Sequence, residues 1–86
     1  MDQDKNLDFA KKLGHLIRVR RKEQKISIRV VADATNIHPG AIVKFELGKT
    51  DMTISRVGRM MEYLRIKWED LQILQAVSNK EVKNGK

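Results

Sequence analysis

His15 and His38 are the only imidazoles in the chain, and no cysteine accompanies them. Structural zinc sites need three or four closely spaced Cys or His ligands, so no metal centre is expected, and disulfides are excluded. No Ser-His-Asp arrangement, paired-carboxylate set or glycine-rich phosphate loop stands out; no catalytic residue and no cofactor are expected, and an enzyme is the least favoured class. The chemistry these side chains can do is electrostatic. Eighteen Lys and Arg stand against eleven Asp and Glu, a formal net charge of +7. That surplus suits a polyanion, either nucleic acid or an anionic membrane surface.

Positioning those cations requires a fold, and 86 residues allow one small domain. A chain of this size buries roughly 60% of its unfolded surface. The N-terminal Met1-Asp2-Gln3-Asp4 carries no secretory signal pattern. No apolar run approaches the ~20 residues of a membrane span. A cytoplasmic location is expected.

The periodicity predicts an all-α domain of five helices. Helix one runs from Leu7 to Gln24, with Phe9, Leu13, Leu16, Ile17 and the stem of Arg20 on a buried stripe. Ser27 caps a short second helix, Ile28 to Thr35, with Val31, Ala32 and Ala34 inward. Asn36 suits a left-handed turn. Pro39, the only proline, opens a third helix that ends at Gly48, with Ile42 and Phe45 inward. Thr53 caps a fourth, whose core residues are Ile54, Val57, Met60, Met61 and Leu64. Gly58 inside it lowers helix propensity by about 1 kcal/mol relative to Ala, which a close helix approach would explain. A fifth helix takes residues 68–77, with Trp68, Leu71, Leu74 and Val77 on one stripe. Residues 1–77 are read as the domain and 78–86 as a mobile charged tail.

Two short helices joined by a brief turn, the second opening at the surface, describe a helix-turn-helix over about 27–47. From Leu13 to Leu71 the chain resembles the Cro/phage-repressor (Xre) family. The matching stretches are Ile17-Arg18-x-x-Arg21, Ser27, Val31-Ala32, Ile42-x-x-Phe45-Glu46-x-Gly48-Lys49 and Leu64-x-Ile66-x-Trp68-x-x-Leu71. The resemblance implies a lambda-repressor-like DNA-binding domain of a bacterial or phage transcriptional regulator. Its second helix would cross the phosphate backbone, and its third would lie in the major groove of double-stranded DNA.

The resemblance also implies roles. Arg21 and Glu46 match a structural ion pair between the first and third helices. His38, Pro39, Gly40, Ala41 and Lys44 match the base-reading surface. Lys49 and Thr50 match positions that contact backbone or bases and are assigned to phosphate with Ile28, while Arg29, next to Ile28, and Arg56 could supply further phosphate contacts. The chain departs from the family at several of these. Pro39, Gly40 and Ala41 have no side-chain hydrogen-bonding group and can offer only close approach and contact with thymine methyls. That leaves His38 and Lys44 as polar readers, with a place merely beside the helix N-cap for His38 and a phosphate role for Lys44 as alternatives. Ile28 stands where a DNA-contacting Gln is common, so only backbone N–H groups could bind phosphate there. Lys25 replaces a helix-ending glycine, with strain or a shifted turn as the consequence.

Such modules usually bind as dimers on half-sites about one helical turn apart. Trp68, Leu71, Leu74 and Val77 are the candidate homodimer face, with Trp68 turned inward and the later residues shared. The reading is repression or activation on a pseudo-palindromic operator. The alternative is an antitoxin-type protein that binds a partner toxin and autoregulates its operon. A second regulatory protein also remains open as a partner. A membrane role has little support, because the apolar face of the first helix is needed for the core.

Overall fold

A computed structural model describes the backbone of residues 2–72 and the side chains of residues 8–72. The elements are α1 (Asp2–Glu23), α2 (Ile28–Thr35), α3 (Pro39–Glu46), α4 (Ile54–Leu64) and a 3₁₀ turn, Trp68–Leu71. Among the described residues there is no strand, and no helix is long and apolar enough to cross a membrane. The all-α class holds, with four α-helices where five were expected. Only the start of the fifth falls within the described residues. There Asp70 donates its amide to the carbonyl of Lys67 at 2.8 Å, while its carboxylate accepts from the Lys67 amide at 2.9 Å. Both bonds tighten the chain into a 3₁₀ turn. Leu74, Val77 and the tail lie outside the described residues.

Helix starts follow local chemistry. Ser27 Oγ accepts from the Val30 amide at 3.1 Å, and Thr53 Oγ1 from the Arg56 amide at 3.3 Å. Each satisfies one of the amides that a helix's first turn leaves without a partner. All four helices end in a left-handed residue, at Lys25, Asn36, Gly48 and Arg65. After α1, for instance, Ile26 donates to the Arg21 carbonyl and Lys25 to that of Lys22, the paired closure of a Schellman turn. Only one of the four residues is glycine. At three of the ends the next residue is an isoleucine, Ile26, Ile37 or Ile66, packed in or against the core. Burial of that side chain stabilises a turn whose preceding residue is strained.

α1 and α2 each pack on both α3 and α4. Ile17, Val31, Ile42, Phe45, Met60, Met61 and Leu64 are the largest fully buried side chains. Several sequence expectations shift here. Phe9 is 43% exposed, and Ala10 takes its place in the core. Ala34 is exposed and Thr35 is buried instead; its hydroxyl donates to the Val31 carbonyl at 2.7 Å, which lets a polar group enter the core. Ile54, 71% exposed, is the first residue of α4 and projects from its end rather than into the core. Trp68 is not turned inward but is 52% exposed.

The glycine that the packing requires is Gly14, not Gly58. A methyl group at Gly14 would overlap the carbonyl oxygen of Phe45, and the carbonyl carbon would stand only 3.0 Å away. The backbones of α1 and α3 therefore touch. At Gly58 an added methyl would meet only Trp68 Cζ2, at an ordinary 3.8 Å.

Arg21 and Glu46 close the same α1–α3 contact. Nε donates to Oε2 at 2.8 Å and Nη2 to Oε1 at 2.9 Å, with both residues buried. Nη1 donates to the Ile26 carbonyl at 2.9 Å, tying in the turn before α2. Two more side chains cap helix ends across the bundle. Gln24 Nε2 donates to the Leu64 carbonyl at 2.7 Å, and Arg59 Nη1 to that of Thr35 at 3.0 Å. They satisfy carbonyls that a helix's last turn leaves free.

Three outcomes are expected in urea unfolding. Gly14→Ala should lose about 3 kcal/mol, the upper end for overpacking, and a loss below about 1 kcal/mol would mean that the helices can separate at little cost. Glu46→Gln should lose about 3 kcal/mol by leaving the buried guanidinium without its counter-charge. Lys25→Gly should gain about 1 kcal/mol, because relief of left-handed strain exceeds the entropy that glycine adds to the unfolded chain.

Candidate nucleic-acid interface

α3 projects its outward face because its inward face is committed. Ile42, Phe45 and Glu46 are buried, so Gly40, Val43, Lys44 and Leu47 fall on the opposite side at i, i+3, i+4 and i+7. Val43 and Leu47 are 40% and 50% exposed, and Lys44 is exposed. The apolar pair is part of the surface that sequence reasoning missed. Its signal was present in the helical spacing from Gly40, at i+3 and i+7, but both residues read as ordinary hydrophobics until the burial of their neighbours is known.

The start of α3 is built by His38 and Gly40. His38 is the N-cap, its Nδ1 accepting from the Gly40 amide at 3.0 Å, and Pro39 follows at the first helical position. A methyl group at Gly40 would lie 3.1 Å from that Nδ1, so glycine leaves room for the ring over the helix start. His38 is thus the cap itself and not merely a neighbour of it. Nδ1 caps the helix, and in the neutral tautomer Nε2–H remains a donor on an exposed residue.

The remaining candidates divide by position. Pro39 is exposed beside His38. Ala41 is half-buried and packs against the core, which puts it at the margin of the outward face. Arg29 is exposed in the first turn of α2, whereas the Ile28 side chain packs against the core. Lys49 is exposed directly after α3, its amide bonded to the Lys44 carbonyl at 2.9 Å. Thr50 and Arg56 are exposed in the following loop and in the first turn of α4. A shallow groove of about 260 Å³ brings Ile28, Val43 and Leu47 together with Arg18 and Lys22. The α3 surface is thus apolar at its centre and has cations nearby on α1. Among the described residues no cluster of His, Cys, Asp and Glu could hold a metal ion.

Of the residues expected to form a homodimer face, Trp68 is exposed and Leu71 half-buried against the core.

Comparison with known proteins agrees with this geometry. A helix-turn-helix family model matches residues 17–71. No curated protein matches significantly. The fold is similar to that of the clp gene regulator ClgR from Corynebacterium glutamicum, with a TM-score of 0.71, 21% identity and coverage of 87% of each chain. With the matched segment running from the buried Ile17 of α1 to Leu71 and enclosing the whole Ser27–Leu47 unit, the chain belongs to the helix-turn-helix family of Xre/Cro type, whose members are DNA-binding transcriptional regulators.

Proposed function

We propose that this regulator binds a pseudo-palindromic operator as a homodimer and represses or activates transcription by occupying it. In this reading α3 enters the major groove and α2 crosses the phosphate backbone. Base readout falls to His38, Pro39, Gly40, Ala41 and Lys44. Phosphates are held by Arg29, Lys49, Thr50 and Arg56, with the backbone amides at Ile28. The observation that carries the reading is the exposed, unpaired outward face of α3, held rigidly by the buried Arg21–Glu46 pair in a chain of net charge +7. Trp68, half-exposed, and the partly buried Leu71 offer apolar surface for a second copy; Leu74 and Val77, assigned to the same face by the sequence, lie outside the described residues.

Selection of bound sequences from a random duplex pool, followed by affinity measurement over a salt series, tests this. The expected result is a two-fold symmetric motif with half-sites roughly one helical turn apart, and affinity falling with salt at a log–log slope of several units. An asymmetric single motif would overturn the dimer. A flat salt response would overturn DNA as the partner.

A further inference from the structure

We propose that the outward face of α3 selects bases by class, taking guanine and thymine on the strand it contacts and rejecting adenine and cytosine, with part of the discrimination coming from the thymine methyl. The inference rests on α3 lying in the major groove and goes beyond that reading to the chemistry α3 accepts there.

It follows from an inventory of hydrogen-bonding groups. Pro39, Gly40, Val43 and Leu47 contribute no polar side-chain atom to the face. Lys44 carries three donors and no acceptor. His38 has one acceptor nitrogen, and the Gly40 amide occupies it at 3.0 Å. Its outward nitrogen, Nε2, is therefore a donor in the neutral ring. The carboxylate on this helix is Glu46, which is buried with both oxygens bonded to Arg21. From His38 to Leu47 the exposed side chains thus present donors and apolar atoms, and no free acceptor.

The major-groove edges of the bases sort against such a surface. Guanine shows two acceptors, N7 and O6; thymine shows the O4 acceptor and a methyl. Cytosine presents only its N4 amino group, and adenine presents an N7 acceptor beside its N6 amino group; either amino group needs an acceptor, so adenine can take one bond from this face while its N6 goes without a partner. Pressed against Val43 or Leu47, an amino group loses water and gains no partner. Lys44 and the His38 Nε2–H suit the keto oxygens, and Val43, one residue before Lys44 and 40% exposed, suits the methyl. Gly40 sustains the arrangement, since a methyl there would stand 3.1 Å from His38 Nδ1 and crowd the ring that it bonds.

The test uses two random duplex pools, one made with thymidine and one with deoxyuridine, which pairs identically but lacks the methyl. Sequences recovered by the full chain are then measured in both forms. Deoxyuridine at the contacted thymines should weaken binding about fourfold per methyl. Val43→Ala should lose most of that difference, and Val43→Gln, which supplies an amide acceptor, should admit adenine at the same position. Because Val43 is exposed, these variants should keep the wild-type helical circular dichroism and melting temperature. A motif bound equally well with thymine and deoxyuridine overturns the proposal, as does one that requires adenine or cytosine on the contacted strand. If neither pool yields any motif, the major-groove reading itself fails, and the two failures are distinguishable.

Discussion

A guanidinium taken out of water has to find acceptors for its donors, and Arg21 finds them on two different elements. Two N–H groups go to Glu46 at the end of α3, and a third goes to the Ile26 carbonyl in the turn before α2. The charge thereby fixes the end of α1, the entry to α2 and the end of α3 at once. Removing either partner would strand the other charge in a low-dielectric site. An apolar substitute could fill the volume but not impose this geometry. The pair acts together with the backbone contact at Gly14, where α1 lies directly on the Phe45 carbonyl. Between them they set how far the outward face of α3 stands from the bundle.

The helix ends show how a small domain sets its angles with few residues. Left-handed residues at Lys25, Asn36 and Arg65 are each followed by an isoleucine in or against the core. The apolar burial offsets the backbone cost, and each turn is held from its far side. Gln24 and Arg59 add cross-bundle bonds to the carbonyls of Leu64 and Thr35. Strain and burial are thereby coupled along the chain, which keeps α2 and α3 in one relative orientation without glycine at most of the turns.

The outward face of α3 is sparse in hydrogen-bonding side chains, Lys44 being the exposed polar residue after His38. His38 commits one ring nitrogen to the start of its own helix, which in the neutral ring leaves the other as a donor. Val43 and Leu47 are exposed beside Lys44, so the outward face is largely apolar.

Much of this was legible in the chain alone, because it depends on local chemistry. Ser27, Pro39 and Thr53 mark helix starts through hydrogen bonds and dihedral limits that operate within a few residues, and the bounds of α2 and α4 follow from them. The pattern Arg21 with Glu46 was legible through family resemblance, and the start of α3 through its proline. What required tertiary structure was which side of each helix ends up covered. Phe9, Ile54 and Trp68 are as apolar as Leu13 or Val57, yet no neighbouring element covers them enough to bury them. Gly14 and Gly58 are indistinguishable as letters, and only the approach of Phe45 makes one of them necessary. Val43 and Leu47 become surface only once Ile42, Phe45 and Glu46 have turned inward. Burial is a property of two elements meeting, and local periodicity describes only one of them.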